Sequence, residues 1–142
     1  MEKLHPTTKA IMEERFGKDS LIALATSQDN TPHVRTVNAF YDDGAFYVLT
    51  YALSDKMRQL AANPAAAVCG EWFSGQGRGV SLGWVKSEEN REIAEKMKRI
   101  FALWLGNGHV DLADENTVIL RIELSFGVLF SNGTRYDIDF TE

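Results

Sequence analysis

Apolar residues recur along this chain at two spacings, one near every second position and one near every third to fourth. The first is the period of a half-buried strand and the second that of an amphipathic helix. Thr7 or Thr8 can cap an opening helix that runs to about Phe16. Ile11, Met12 and Phe16 form its stripe, and Gly17 stops it. Leu21 to Ser27 reads as a strand bounded by the turn signal Asp29-Asn30-Thr31-Pro32. His33 to Tyr41 is the next strand, with Val34, Thr36 and Asn38 on one face and Arg35, Val37 and Ala39 on the other. Asp42-Asp43-Gly44 is a strong hairpin signal, and Ala45 to Tyr51 is the returning strand.

A short helix follows, capped by Ser54 or Asp55, with Met57, Leu60 and Ala61 on its buried side and Asn63-Pro64 at its end. Ala65 to Phe73 is nearly all apolar, which predicts a strand buried on both faces. Ser74-Gly75-Gln76-Gly77 reads as a flexible link to a strand from about Arg78 to Val85. The longest helix opens near Ser87 and runs to about Leu105. It carries Ile93, Met97, Ile100, Phe101 and Trp104 on one broad face, and Gly106-Asn107-Gly108 ends it. Val118 to Leu124 alternates as a strand. Phe126 to Phe130 and Tyr136 to Phe140 then flank Ser131-Asn132-Gly133-Thr134 as a final hairpin. Hairpins dominate and helices are few, which excludes an alternating βαβ chain. The pattern predicts a mainly β fold with flanking helices, an antiparallel barrel of six to eight strands.

Composition bounds the partners. At 142 residues the chain is expected to form one domain, residues 1–142, with a core that needs no disulfide or metal. Fifteen basic against twenty acidic residues give a formal charge of −5, which disfavours nucleic acid and anionic membranes as partners. A local basic pocket for one small anion is still compatible with that balance. Cys69, the single cysteine, reads as a small buried strand residue. Met1 to Pro6 holds no apolar core of signal-peptide length, and no apolar run approaches the ~20 residues of a membrane span, so a cytoplasmic location is expected.

Several familiar arrangements fall away. Gly75-Gln76-Gly77-Arg78-Gly79 has the wrong spacing and context for a dinucleotide loop. His5, His33 and His109 lie far apart with no metal spacing, and His109-Val110-Asp111 reads as a solvated loop. Asn132-Gly133-Thr134 reads as a hairpin turn, not as a glycosylation acceptor. What remains is Arg35 on the second strand, Thr50 at the end of the third, and Ser54 and Lys56 at the start of the short helix. A guanidinium fork, an ammonium, two hydroxyls and a helix N-terminus suit a phosphomonoester dianion. From the pattern alone, Arg35 and Lys56 read as readily as solvated surface charges. Val37, Asn38, Ala39 and Phe40, with Val48 and Leu49, can wall a flat heterocycle. Trp72, Trp84 and Trp104 read more readily as core or interface than as stacking partners.

Taken in order, Pro32 to Val37, Phe46 to Thr50, Ser54 to Lys56 and Asn63-Pro64 resemble the pyridoxamine-phosphate-oxidase-like FMN-binding family. The likeness spans Leu21 to about Val85. It implies a split β-barrel, a homodimer and two FMN molecules at the subunit interface. By position it implies that Arg35 and Lys56 grip the FMN phosphate with Thr50 and Ser54 assisting. Thr36, Val37 and Asn38 line the flavin through strand backbone, and Leu49 packs beside it. True pyridoxamine-phosphate oxidases carry a substrate-binding lysine where Phe40 stands, and a glutamine where this chain has Arg78. Their tryptophan- and arginine-bearing tail has no counterpart in residues 132–142. The resemblance therefore implies an FMN-dependent oxidoreductase with another small-molecule substrate, such as a flavin, quinone or nitro compound. A flavin-shuttling module, a heme- or deazaflavin-binding relative, or a barrel without cofactor are the alternatives.

Overall fold

The computed structural model describes residues 2–3 and 5–141; Met1, Leu4 and Glu142, part of the terminal stretches discussed above, lie outside them. The elements are β1 (Glu2–Lys3), α1 (Pro6–Phe16), β2 (Ser20–Gln28), β3 (Thr31–Asp42), β4 (Ala45–Tyr51), α2 (Asp55–Ala62), β5 (Ala65–Gly70), β6 (Phe73–Trp84), α3 (Arg91–Ile100), α4 (Ala102–Leu105), β7 (Thr117–Ser131) and β8 (Thr134–Asp139). Strands β7, β4, β3, β2, β5 and β6 pair in that order, and β6 returns to β7, closing a six-stranded antiparallel barrel. β8 adds to the far half of β7, and β1 lies parallel beside it. The barrel interior is filled by Phe16, Ile22, Leu24, Tyr41, Phe46, Val68, Phe73, Leu120 and Ile122. A second cluster on the outside binds α3 and α4 to the wall through Phe40, Met97, Phe101 and Ile119. The mainly β, split-barrel expectation is met.

Several local expectations are corrected. α1 is capped by His5, whose Nδ1 accepts from the Thr7 N–H at 3.1 Å, not by Thr7 or Thr8. Pro6 starts the helix because it lacks an N–H and holds φ ready. In α2 the buried face is Met57, Gln59 and Leu60, and Ala61 is exposed. β5 is buried on one face only, since its apolar outer residues are small and uncovered. Cys69 accordingly stands exposed.

The chain turns at Glu71-Trp72, with Trp72 at φ 54, and Ser74 to Gly77 belongs to β6. The glycines there are not loop signals. A Cβ on Gly75 would meet the Phe73 ring at 2.9 Å, and one on Gly79 would meet Leu60 at 2.8 Å. Gly79 thus lets α2 sit directly on the strand. β7 is one continuous strand; its register against β6 shifts between Leu124 and Phe126, so Ser125 bulges. The long helix is broken into a 3₁₀ turn at Glu88–Asn90, then α3 and α4, which meet at Phe101. Asn90 anchors the turn by donating to the carbonyls of Leu82 and Trp84 at 2.9 and 2.8 Å.

Candidate functional site

β3 and β4 form a hairpin that opens early. They pair at Asp42–Ala45, Tyr41–Phe46 and Phe40–Tyr47 and then separate. Beyond that point β3 pairs only with β2, through Ala39, and β4 only with β7, through Tyr51. Continuing the hairpin register across the opening would set Asn38 opposite Leu49, Val37 opposite Thr50 and Thr36 opposite Tyr51. The residues expected to line a flat ring are therefore the two lips of this slot. Among the described residues, the backbone groups of β3 that face away from β2 between Thr31 and Ala39 have no strand partner and can hydrogen-bond a guest.

Side chains on the lips divide by strand alternation. Thr36 is exposed. Val37 leans on the barrel core. Leu49 packs on the outer cluster beneath α3 and α4. The Asn38 side chain donates to Asp19 Oδ1 at 3.0 Å, while Trp104 Nε1 donates to Asp19 Oδ2 at the same distance. This trio fixes the β3 lip to α4.

From Thr50 the chain passes through Ala52 and Leu53 into α2, which brings Ser54 and Lys56 toward Arg35. Ser54 occupies the N-cap position, yet its side chain makes no capping bond. Its Oγ is buried without a hydrogen-bond partner. Such an atom is costly unless something fills the place. Burial pulls the Lys56 ammonium below its ordinary value, and the nearby Arg35 charge pulls it further, with Asp55 partly opposing. Burial likewise lowers Arg35, and Asp55 partly restores it. Asp55 itself pairs with Arg58. Among the described residues neither Arg35 nor Lys56 forms an ion pair with a carboxylate. Two like charges are thus held close with only Asp55, itself bonded to Arg58, partly offsetting them, and such a pair suits an anion.

The fixing of Arg35 was not visible in the sequence. Its Nη1 donates to Thr26 Oγ1 at 2.8 Å and to the Leu24 carbonyl at 3.3 Å, and its Nη2 donates to Gln59 Oε1 at 2.8 Å. The Thr26 hydroxyl donates to the same Gln59 oxygen at 2.6 Å. The one available signal was an amide between Met57 and Leu60 on the apolar side of a helix.

The lowered Lys56 value has a consequence for stability. The unfolded chain binds this proton more tightly than the folded one, so Lys56 destabilises the protein at neutral pH. That penalty fades as pH rises toward 10.5. Lys56→Met is expected to raise the Tm of the free protein at pH 7 by roughly 1–3 °C. Thermal scans at increasing pH should show the gain shrinking; a gain that grows with pH would contradict the charge argument.

A six-stranded antiparallel barrel whose third and fourth strands part beyond their hairpin belongs to the split-barrel class. The chain matches the pyridoxamine 5'-phosphate oxidase family over residues 8–125, and it belongs to that family. General stress protein 26 of Bacillus anthracis superposes with a TM-score of 0.69 at 18% identity, covering 91% of this chain and 97% of that one. An FAD-binding protein of Mesorhizobium loti gives 0.66 at 16% identity, with 83% and 90% covered. A heme-binding protein of Mycobacterium smegmatis gives 0.65 at 13%, with 87% and 54% covered. At these identities the likeness is one of fold. No curated protein sequence matches the chain. Among the described residues no helix is long and apolar enough to cross a membrane.

Proposed function

We propose that this protein is an FMN-dependent oxidoreductase acting as a homodimer on a small-molecule substrate. The observation that carries the proposal is the pair Arg35 and Lys56, only partly offset by Asp55, beside the buried Ser54 hydroxyl, unbonded among the described residues. A phosphate monoester supplies the missing counter-charge and the missing hydrogen-bond partner at once. Arg35 and Lys56 then hold the phosphate, with Thr50 and Ser54 donating hydroxyls and the α2 N-terminus adding backbone N–H groups. The open lips of β3 and β4, at Thr36, Val37, Asn38 and Leu49, place backbone and apolar groups along a flat ring. When bound, the flavin supplies two-electron exchange, and the protein's part is to orient the ring and shape access to it.

The partner surface in this proposal is the outer face of β2, β5, β6 and β7. There Ala23, Ala25, Ala67, Cys69, Phe126 and Val128 help line a shallow groove of about 460 Å³. Leu21 and Val34 stand exposed beside it. Apolar surface of this kind is what a second subunit would cover. In this proposal the substrate is other than a B6 phosphate. Phe40 is fully buried, with its ring 5.4 Å from that of Tyr47 and 5.7 Å from that of Phe101. This packed ring stands where the resemblance would place a substrate lysine.

The absorbance spectrum of the purified protein, followed by steady-state NADH and NADPH oxidation with flavin, quinone and nitro acceptors, tests the proposal. A flavin spectrum with one FMN per chain, turnover, and a dimer by light scattering are the expected results. A strong Soret band, or a flavin complex with no turnover under any pairing, would overturn the assignment.

A further inference from the structure

The polar pair Thr26 and Gln59 is hard to explain by packing. Both are almost wholly buried, at 2% and 6% exposure. A threonine and a glutamine in such places are favourable only when their polar atoms are fully used. Here the Thr26 hydroxyl donates to the Gln59 oxygen, and both oxygens accept from the guanidinium of Arg35. Nη1 gives its two hydrogens to Thr26 and Leu24, and Nη2 gives one to Gln59. Of the five N–H groups of an arginine, those left are on Nε and on Nη2. By covalent geometry these lie parallel along one edge of the planar group, the fork that takes two oxygens of a phosphate side by side. An apolar Leu and Val would fill the same space and leave the guanidinium free to rotate.

We propose that Thr26 and Gln59 are positioning residues that lock Arg35 with its free edge turned to the mouth beside Lys56, and so make the site selective for a terminal phosphate monoester. This rests on the phosphate-grip assignment above. It extends it by naming what sets the geometry of the grip and what ligand feature is selected. Lys56, a point charge, contributes attraction without demanding orientation. Arg35 contributes orientation, and the buried pair supplies it in advance of binding, so that less freedom is lost when the ligand arrives.

The test compares FMN with riboflavin, which differ by the phosphate alone. Titrations follow the quenching of flavin fluorescence in the full chain. The wild type is expected to prefer FMN by roughly 10²-fold, as two charge-assisted contacts require. Gln59→Leu and Thr26→Val are expected to cut that preference by about tenfold each, with riboflavin affinity unchanged within about twofold. Thr26→Ser keeps the hydroxyl and should keep the preference. Gln59→Glu keeps the acceptor but neutralises Arg35, and should lose it.

Equal affinity of the wild type for the two flavins would remove the phosphate grip itself. A wild type that discriminates, with Gln59→Leu and Thr26→Val discriminating as well, would overturn the positioning role and leave the grip standing. If both flavins weaken together in these variants, the pair serves folding only, and the inference likewise fails.

Discussion

The double variant Arg35→Ala, Lys56→Ala is expected to bind FMN about 10²- to 10⁴-fold more weakly than the wild type. Each hydrogen bond from a charged donor contributes about 1.5–3 kcal/mol, and every 1.4 kcal/mol is a factor of ten. The protein should nonetheless fold. Neither cation has a carboxylate partner among the described residues, and each is depressed by burial, so their removal relieves a cost. Truncating Arg35 ends its bonds to Leu24, Thr26 and Gln59, but Thr26 and Gln59 keep their own bond at 2.6 Å. Fluorescence titration against FMN, with the Tm of the free variant as the control, decides the matter. An FMN affinity within threefold of the wild type (a shift of about 0.6 kcal/mol) would show that the two cations do not hold a phosphate. The loss should also shrink in high salt, because screening weakens the wild-type grip more than the variant's.

Gly77→Ala is expected to be the most damaging small substitution in the barrel. A Cβ at Gly77 would fall 1.8 Å from the Glu123 carbonyl oxygen and 2.8 Å from its carbon. Both are backbone, so no side chain can swing aside. The contact sits on the β6–β7 seam, next to the Ser125 bulge that closes the ring. Overpacking costs typically 1–3 kcal/mol where side chains can yield, and a main-chain collision belongs at or above the top of that range. Against a total stability of about 5–15 kcal/mol, a loss of about 3 kcal/mol or more moves a urea midpoint far enough to read without ambiguity. Gly106→Ala is the control, since nothing lies within 4 Å of its would-be Cβ. Equal midpoints for the two variants would mean that the seam is looser than its geometry implies.

The elements most legible in the sequence were those whose cause is local. Asp43 and Gly44 take φ 46 and 87, and Asn132 and Gly133 take 52 and 78. These positive pairs are what a two-residue hairpin turn requires, so both hairpins were readable. Arg35, Thr50, Ser54 and Lys56 stood out as charge and hydroxyls on neighbouring elements, but the pattern alone fits solvated charges as well, and only the family resemblance gives them a phosphate. What failed was set by distant partners. The glycines of β6 look like a linker until Phe73 and Leu60 are known to occupy the space above them. Cys69 looks buried until β5 is known to present one face outward. Gln59 has no evident role until its oxygen is found holding both Thr26 and Arg35. No window of sequence holds residues 26, 35 and 59 together.

The seam left ajar along β3 has one more effect. A row of main-chain donors and acceptors without a mate invites any extended peptide to dock and prolong the sheet, which is the usual first step of clumping. Pro32 and Arg35 stand within that stretch: the first has no N–H to offer, and the second puts a cation beside it. An imino acid and a charge therefore guard this edge against added strands.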